Sequence, residues 1–382
     1  MAQTVPQEQI LFVSFELSNS KWKLTFSVRG TQKRRIEIDA RDLERLKREF
    51  ALARKRFRLP EDARIVSCYE AGRDGFWLHR FLTSLGGTNF VVDPASIEVD
   101  RRGRRAKTDR IDGDALLRKL IAYFDGDKKT WKVVQPPNEE QEDARRTHRE
   151  LERLKKERTG HGNRIQGLLM LEGVKLAPRK DFIERLKDVR RWDGTPLGEK
   201  LQVELRREYE RLQLVEKQIV EIKQWKKRRL QAVSLKEKTS SPNEKAYEQI
   251  LQLMELSGVS ESAWVLVMEF FAWRKFSNGR QVGSLAGLTG TPFDSGDSSR
   301  EQGISKAGNK RVRALMIELS WCWLRYQPDS KITHWYNERF GAGGKRSRRI
   351  GIVAVARQLL VALWRYGEFG EMPEGAMLKQ SA

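Results

Sequence analysis

Cysteine and histidine are both scarce in this chain of 382 residues, which has 2 cysteines and 4 histidines. Two thiols cannot build the disulfide framework of a small secreted protein, and the scattered histidines do not complete a zinc site with them. Cys68 and Cys322 lie among apolar residues, so we expect both to be reduced thiols in the core. We assign no histidine as a metal ligand.

Long apolar runs are also missing from the sequence. No run approaches the roughly 20 residues that a membrane-spanning helix needs. The amino-terminal residues have neither a basic region nor a small-residue cleavage site of the secretory type. We therefore expect a cytoplasmic protein of bacterial type with no membrane partner.

Positive charge, by contrast, is abundant. The chain has 74 lysines and arginines against 52 aspartates and glutamates, a formal net charge of +22. Solubility does not require so large an excess, which indicates a polyanionic partner, with nucleic acid as the first candidate. The length indicates two or three domains, and the hydrophobic fraction of 39% is enough for ordinary cores.

The first third of the sequence predicts an α/β domain. Apolar and alternating segments from residue 10 to residue 120 predict the element order β-β-β-α-β-α-β-α. An antiparallel meander followed by parallel crossovers is the ribonuclease-H-like plan, in which the first strand lies centrally beside the fourth. We place this domain at residues 1–125.

The remainder of the chain predicts mostly α-helix. Residues 139–234 hold two long charged segments with near-heptad leucines, which predict an antiparallel helical hairpin or coiled coil. It could be a spacer, a dimerisation arm or an RNA-holding arm. We expect a mostly α-helical domain at 246–368, with a long Gly/Ser loop and core tryptophans at Trp321, Trp323 and Trp364, and a disordered tail at 369–382.

Four carboxylates occupy suggestive places in the first domain. Glu16 and Glu70 end the first and fourth predicted strands, and Asp109 and Asp112 open its last helix. Such acids would converge at one sheet edge and repel one another unless a divalent cation is bound, and oxygen ligands favour Mg²⁺ or Mn²⁺. As an alternative, Asp109 and Asp112 have the spacing of helix-capping residues. We expect Asp114 to face elsewhere and to be solvated.

A second unusual stretch surrounds Ser295. The Asp-Ser-Gly turn at 294–296 is followed by a run of basic residues and by a predicted helix start near Asn309. A serine hydroxyl in so basic a loop could attack phosphorus, with cations stabilising the transition-state charge. No histidine lies nearby in the sequence to act as a base.

Three segments together resemble a known family. The stretches KTDRIDGDALL, YEAGRDGFWLHRFL and LTGTPFDSGDSSREQGISKAGNKRVRALM resemble the DEDD transposases of the insertion-sequence-110 family, notably its 1111 subgroup. The resemblance covers nearly the whole chain. It implies a RuvC-type domain, a coiled-coil middle and a carboxyl-terminal transposase domain with a nucleophilic serine. It also implies a recombinase directed by a structured bridge RNA that pairs with donor and target DNA.

The resemblance also implies roles for individual residues. By motif, the metal-binding tetrad is Glu16, Glu70, Asp109 and Asp112, and Ser295 forms a covalent phosphoserine intermediate during strand exchange. The first acid of the family is usually aspartate, so Glu16 is a departure that changes the reach of this ligand. A homodimer or homotetramer is implied, in which the carboxylate and serine halves of one site can come from different protomers. The expected location is the bacterial nucleoid.

Basic and polar residues in three segments are candidates for nucleic-acid contact. Clustered cations of this kind more often contact phosphates without regard to sequence than recognise individual bases. The candidate residues are Arg101, Arg102, Arg104, Arg105, Lys107, Asn163, Arg164, Arg300, Lys306, Asn309, Lys310 and Arg311.

Two other functions remain open from the sequence. One is a metal-dependent nuclease or Holliday-junction resolvase, in which Ser295 is only a turn residue. The other is a non-catalytic RNA- or DNA-binding protein. The first predicts cleavage without a protein–DNA adduct, and the second predicts that the carboxylates and divalent ions are dispensable.

Overall fold

The structure is a computed structural model that describes residues 9–29, 32–97, 109–235, 243–295 and 298–379, without the side chains of residues 109–112 and 292–302. The chain divides into two compact units, Met1–Pro137 and Asn138–Ala382. The amino-terminal limit predicted at residue 125 and the finer division of the second unit into 139–234 and 246–368 stay predictions.

The first unit contains a six-stranded mixed sheet. Its strands are β1 (Ile10–Leu17), β2 (Lys21–Ser27), β3 (Lys33–Asp39), β4 (Arg64–Glu70), β5 (Thr88–Val92) and β6 (Val133–Val134). They lie in the order β3-β2-β1-β4-β5-β6. The pairs β1–β4 and β4–β5 are parallel, and the other neighbours are antiparallel. The predicted element order and the central position of β1 beside β4 are therefore confirmed, with β6 added at the edge.

Helices cover both faces of this sheet. They are α1 (Leu43–Arg56), α2 (Trp77–Ser84) and α3 (Asp109–Phe124). Successive side chains of a strand point to opposite faces, so the apolar run of β1 supplies both cores. Leu11, Val13 and Phe15 pack with α1 and α2, whereas Ile10 and Phe12 pack with α3. A central strand buried on both faces explains why its sequence is almost continuously apolar.

The second unit begins with a long helix pair. The helices from residue 138 to residue 234 are α4 (Glu139–Ala144), α5 (Arg146–Leu171), α6 (Phe182–Asp188) and α7 (Glu199–Ser234). Leu151, near the start of α5, packs with Ile219 in the second half of α7. Ile165, near the end of α5, packs with Leu205 in the first turns of α7. The two helices are therefore antiparallel, as the predicted hairpin requires.

The rest of the second unit is mainly helical. Its helices are α8 (Glu244–Met254), α9 (Ser262–Leu266), α10 (Gly279–Leu285), α11 (Lys310–Tyr326), α12 (Lys331–Tyr336) and α13 (Lys345–Phe369), with π-helical turns after α9 and α12. Side chains from α8, α9, α11 and α13 share one hydrophobic core. This helical content agrees with the sequence.

The expected Gly/Ser loop contains a β-hairpin, which corrects the prediction. Strands β7 (Gly290–Ser295) and β8 (Ser298–Ile304) are antiparallel, and Ser295 pairs with Ser298 at their ends. The two residues between them, Gly296 and Asp297, lie outside the described residues. A Gly-Asp pair is a composition typical of two-residue hairpin connections. Both strands are mainly polar, so hydrophobic periodicity did not predict this hairpin.

Helix α13 is long and apolar enough to cross a membrane, with a mean hydropathy of 1.3 over its most apolar window. It is the one such helix among the residues that the structure describes. Half of that window is buried inside the protein, and Leu359, Leu360 and Leu363 lie in the shared core of the second unit. The packing is that of a core helix.

Three further expectations are wrong in part. Trp323 and Trp364 are buried as expected, but Trp321 is 49% exposed, because it lies on the solvent side of α11. Cys68 is buried, whereas Cys322 is exposed for the same reason. Residues 369–379 of the predicted disordered tail are held in place, since the Lys379 amide donates to the Glu255 carbonyl at 2.7 Å.

Candidate functional site

Glu16 and Glu70 lie at the carboxyl ends of two adjacent parallel strands. The register pairs Phe15 with Tyr69, so Glu16 and Glu70 are the next residues on β1 and β4. Phe15 and Tyr69 both belong to the core beneath α1 and α2. Alternation along the strands therefore puts the two glutamates on the opposite face, which α3 covers. Glu16 is half-buried and Glu70 is exposed.

The first turns of α3 lie against β1 at this edge. The Ser14 hydroxyl donates to the Gly113 carbonyl at 3.0 Å, and the bond is buried. A Cβ added at Gly113 would lie 2.7 Å from Glu16 Oε1 and 2.8 Å from Thr25 Oγ1. Only the absence of a side chain at Gly113 lets the helix approach the Glu16 carboxylate so closely.

Asp109 and Asp112 lie in the first turn of α3, immediately before Gly113. Their side chains lie outside the described residues, so the structure brings together Glu16, Glu70 and the backbone of this turn. No group of three or more His, Cys, Asp or Glu side chains suited to a metal occurs in the part of the chain whose side chains are described. The two glutamates are among these described side chains, and the two aspartates are not.

Asp114 has a structural role instead of the solvated one expected. Its carboxylate accepts hydrogen bonds from Arg35 at 2.6 and 2.7 Å and pairs with Lys33 at 2.9 Å. Burial raises the pKa of Asp114, but the hydrogen bonds and charges of Arg35 and Lys33 outweigh it, and the pKa lies below its usual value. These contacts attach α3 to β3.

The Cys68 thiol is not a candidate nucleophile. It is fully buried on the α3 side of β4. Burial, and secondarily the negative charge of Glu70, raises the pKa of this thiol strongly. A thiol with a raised pKa and no exposure is unreactive.

Ser295 is the last residue of β7 and belongs to the second unit, Asn138–Ala382. Its side chain lies outside the described residues. The base of the hairpin is described and is tightly held. The Ser305 amide donates to the Thr289 carbonyl at 2.9 Å, and the Asn309 amide donates to the Leu285 carbonyl at 2.9 Å. A Cβ at Gly308, where φ is +91°, would lie 2.2 Å from the Leu285 carbonyl oxygen, so this close approach requires glycine.

A buried carboxylate supports the end of this segment. Asn309 caps α11 through its side-chain oxygen and donates through its amide nitrogen to Glu269 at 3.1 Å. Glu269 also accepts hydrogen bonds from His148 at 2.8 Å and from Arg149 at 2.7 Å. Its side chain is 3% exposed. One carboxylate therefore ties α5 to the start of α11.

The protonation state of this cluster follows from its contacts. Burial raises the pKa of Glu269, but the hydrogen bonds from His148, Arg149 and Asn309 together outweigh it and hold the pKa far below its usual range. Burial lowers the pKa of His148, against the opposing effect of Glu269. The pair is therefore a carboxylate that accepts from a neutral imidazole.

Sequence reasoning did not find this cluster. His148 and Glu269 are 121 residues apart, and neither lies in a motif. Arg149 follows a helical pattern typical of a solvated face. Nothing in the linear sequence could have indicated the pairing, because it depends on how α5 packs beside the π-helical turn that follows α9.

The structure describes some of the predicted nucleic-acid contacts and omits others. Arg101, Arg102, Arg104, Arg105 and Lys107 lie outside the described residues, as does the side chain of Arg300.

Two of the described candidates have acidic partners within the chain. Arg164 pairs with Glu208 at 2.9 Å, and Arg311 pairs with Glu152 at 2.8 Å. Asn163, Lys306 and Lys310 are exposed.

The chain is similar to known transposases. Residues 251–334 match the family model described as "Transposase IS116/IS110/IS902 family". A protein of Sinorhizobium fredii (strain NBRC 101917 / NGR234) named "Putative transposase y4rJ" is 41% identical over 377 residues, covering 97% of this chain and 94% of that protein. "Putative transposase y4qE" from the same strain is 28% identical over 266 residues, covering 69% of this chain and 60% of that protein. Because the similarity to the first relative extends over nearly the whole of both chains, this chain belongs to the IS116/IS110/IS902 family of transposases.

Proposed function

We propose that this protein is an RNA-guided DNA transposase that breaks and rejoins donor and target strands. In this proposal Glu16, Glu70, Asp109 and Asp112 form a metal-binding carboxylate set, and Ser295 is the nucleophile. The observation that carries the proposal is the sheet edge where two registered glutamates meet the first turn of α3. The strand order β3-β2-β1-β4-β5 supports a ribonuclease-H-like domain of the RuvC type.

The carboxylates suit Mg²⁺ or Mn²⁺, because both ions prefer oxygen ligands. Glu16 and Glu70 end adjacent strands on one face, and Asp109 and Asp112 begin the helix that touches Glu16. When bound, such ions stabilise the attacking and leaving oxygens of a phosphodiester displacement. In this proposal the protein contributes four acids, and the longer Glu16 side chain is accommodated because Gly113 leaves room for it.

The serine step conserves the number of phosphodiester-type bonds. The Ser295 hydroxyl loses its proton as its oxygen bonds to phosphorus. The bond from phosphorus to one sugar oxygen breaks, and that oxygen leaves as a hydroxyl after taking up a proton. Attack by a sugar hydroxyl of another strand on the phosphoserine reverses these changes and rejoins the DNA. Basic residues around the hairpin, among them Lys306 and Lys310, would stabilise the charge on phosphorus.

The carboxylate assignment can be tested with a matched pair of substitutions. Asp112→Asn removes a ligand charge but little volume, so we expect strand cleavage to fall by about 100-fold or more while nucleic-acid affinity is retained. Asp114→Asn, two residues away, is the control and should keep cleavage, because Asp114 is engaged by Arg35 and Lys33. Cleavage by Asp112→Asn at the wild-type rate would remove Asp112 from the site.

The serine assignment separates the transposase from a nuclease or resolvase. Wild-type protein incubated with labelled DNA should give a covalent protein–DNA adduct on a denaturing gel, and Ser295→Ala should give none. Ser298→Ala is the matched control, since Ser298 pairs with Ser295 across the hairpin, and it should still form the adduct. If Ser295→Ala cuts DNA normally, the nuclease alternative is correct.

Guidance by RNA accounts for the large positive charge, since a structured RNA and two DNA partners together present many phosphates. The test is to purify the protein from its host and to sequence the RNA that accompanies it. One abundant structured RNA encoded beside the gene is expected. If only degraded bulk RNA is recovered, guidance by a dedicated RNA is ruled out while the DNA chemistry stands.

Assembly and location complete the proposal. A homodimer or homotetramer would let the sheet edge of one protomer work with Ser295 of another. Mixing Asp112→Asn protein with Ser295→Ala protein tests this arrangement, because activity returns only if complementary halves come from different chains. The proposed location is the bacterial cytoplasm, in association with the nucleoid.

A further inference from the structure

A large cavity lies in the second unit, close to the base of the β7–β8 hairpin, here called the serine hairpin. Its volume is about 1160 Å³. One wall is the exposed face of α13, and α12 and the segment 371–374 form another. Gly290 and Gly303, which begin and nearly end the hairpin, line it as well. The cavity therefore lies beside the base of the hairpin, and Ser295 is at the far end of its first strand.

The lining of the cavity has a strong excess of positive charge. Its two carboxylates, Glu371 and Glu374, are already matched by Arg365 at 3.9 Å and Lys331 at 2.7 Å. The arginines at 346, 349 and 357 of α13 also line it. Within the described residues these three have no ion-pair partner, and all three are exposed.

The same wall carries apolar surface between the cations. Arg346, Arg349, Val353 and Arg357 follow one another at spacings of three and four residues, so they share one face of α13. Ile350, which is 55% exposed, lies beside them. Trp335 of α12 also lines the cavity, and its ring makes an edge-to-face contact with Phe340 at 5.5 Å.

This combination favours one class of ligand. Arginines alternating with apolar and aromatic surface suit an unpaired nucleic-acid strand, whose phosphates meet the cations while its bases pack on the apolar wall. A duplex hides its base faces in the stack and would gain nothing from Ile350 or Trp335. The volume is comparable to that of ordinary ligand pockets, which leaves room for a few nucleotides but not for a paired helix.

We propose that this cavity, lined by Arg346, Arg349, Arg357, Ile350 and Trp335, binds an unpaired DNA strand and directs it toward the β7–β8 hairpin. DNA is the occupant because the family acts on DNA and because strand exchange separates paired strands near the point of cleavage. The inference rests on the proposed action on DNA. It adds a binding site for the opened strand that none of the carboxylates or Ser295 contributes to.

The test measures binding without cleavage. Full-length protein is titrated into fluorescently labelled oligothymidylate, without divalent ions, and anisotropy is recorded at several salt concentrations. Arg349→Gln with Arg357→Gln should weaken binding by about tenfold or more and should lower the salt slope by about 1.4, the value for two lost phosphate contacts on a single strand. A duplex of equal length should lose far less affinity.

A matched double variant controls for the loss of net charge. Arg325→Gln with Arg348→Gln removes two exposed arginines of the same unit that do not line the cavity. It should change affinity by less than about twofold, as expected for charges outside the contact. An equal loss in both double variants would overturn the site, because binding would then depend on net charge alone.

The apolar wall is tested with a ligand that lacks bases. Wild-type protein should prefer oligothymidylate to an abasic sugar-phosphate strand by about tenfold, and Trp335→Ala should abolish the preference. Since Trp335 also contacts Phe340, Ile350→Ser at an exposed position is the second variant and should reduce the preference without unfolding the protein. An undiminished preference in both variants would remove this wall from the binding site.

Two further outcomes would also overturn the assignment. Oligouridylate that binds more tightly than oligothymidylate, with the same dependence on Arg349 and Arg357, would make RNA the occupant. Displacement of bound DNA by polyglutamate at equal charge concentration would indicate an acidic peptide. The assay does not require catalysis, so a failure of the proposed strand cleavage would leave this result intact, and the reverse also holds.

Discussion

The two regions that present the candidate catalytic groups are anchored in opposite ways. The sheet edge with Glu16 and Glu70 is held by apolar cores on both faces of β1 and β4. The β7–β8 hairpin, whose first strand ends in Ser295, has only two strands, and a two-stranded hairpin alone is marginally stable. Its base is fixed by backbone hydrogen bonds and by the polar cluster around Glu269.

This difference has an energetic consequence. Apolar packing is spread over many contacts, so no single polar group at the sheet edge decides whether the sheet forms. A buried polar cluster concentrates its effect, because removing one partner leaves the others desolvated and unsatisfied. We therefore expect point substitutions to alter chemistry at the sheet edge and to alter stability near the hairpin.

The largest effect should come from Glu269→Ala. It leaves the buried His148 without its acceptor and the partly exposed Arg149 without its counter-charge, and we expect a loss of about 1–3 kcal/mol in the free energy of unfolding. Chemical denaturation followed by circular dichroism measures this loss.

Glu152→Ala is the control for Glu269→Ala, because Glu152 pairs with Arg311 at 2.8 Å between the same helices but at an exposed position. It should cost at most about 1 kcal/mol. If both substitutions cost the same, the polar cluster is not the anchor of the hairpin base and the contrast with the sheet edge disappears.

An intermediate effect is expected for Gly113→Ala, and it should fall on activity. The new methyl group would displace the flexible Glu16 carboxylate and would press on the buried Thr25 hydroxyl, while alanine favours the helix more than glycine does. These effects oppose one another, so we expect stability to change by less than about 1 kcal/mol. Strand cleavage should fall by about tenfold or more because the proposed ligand Glu16 has moved.

Gly160→Ala provides the reference for helix propensity. A Cβ at Gly160 has no atom within 4 Å, so this substitution within α5 should stabilise the protein by about 1 kcal/mol without affecting cleavage. Unchanged cleavage in Gly113→Ala would show that the position of Glu16 does not matter to the reaction.

The smallest effect is expected for Asp114→Asn, which loosens α3 from β3. The lost pairs with Arg35 and Lys33 are partly exposed, so the cost should be about 0.2–1 kcal/mol at pH 7. The pKa of Asp114 is lower in the folded protein than its ordinary value of 3.8. The stabilisation is therefore present above pH 3.8 and is lost as the pH falls through the folded pKa.

Denaturation of wild-type and Asp114→Asn proteins between pH 7 and pH 3 measures this dependence. The two free energies of unfolding should differ less at the acidic end than at pH 7. A difference that stays constant over the whole range would mean that the carboxylate charge of Asp114 contributes nothing.

Much of the sheet was predictable because strands and helices leave local periodic signals. The apolar run of β1 and the alternation of β2 extend over only eight and seven residues, and a few neighbours suffice to define each pattern. The serine hairpin was missed because its strands are polar and rich in glycine, so hydrophobicity does not alternate along them. Trp321 was misassigned because apolar neighbours in the sequence do not determine which side of a helix faces the core.

By itself, the sequence determined the order of the amino-terminal elements and the position of acids at two strand ends, since both depend on residues close together along the chain. Only the tertiary structure decided that Gly113 abuts Glu16, that His148 meets Glu269 and that residues 369–379 pack back onto the protein. These contacts join residues as far apart in the sequence as Glu255 and Lys379. Their partners are selected by the shape and burial of the whole fold, which no local pattern of side chains encodes.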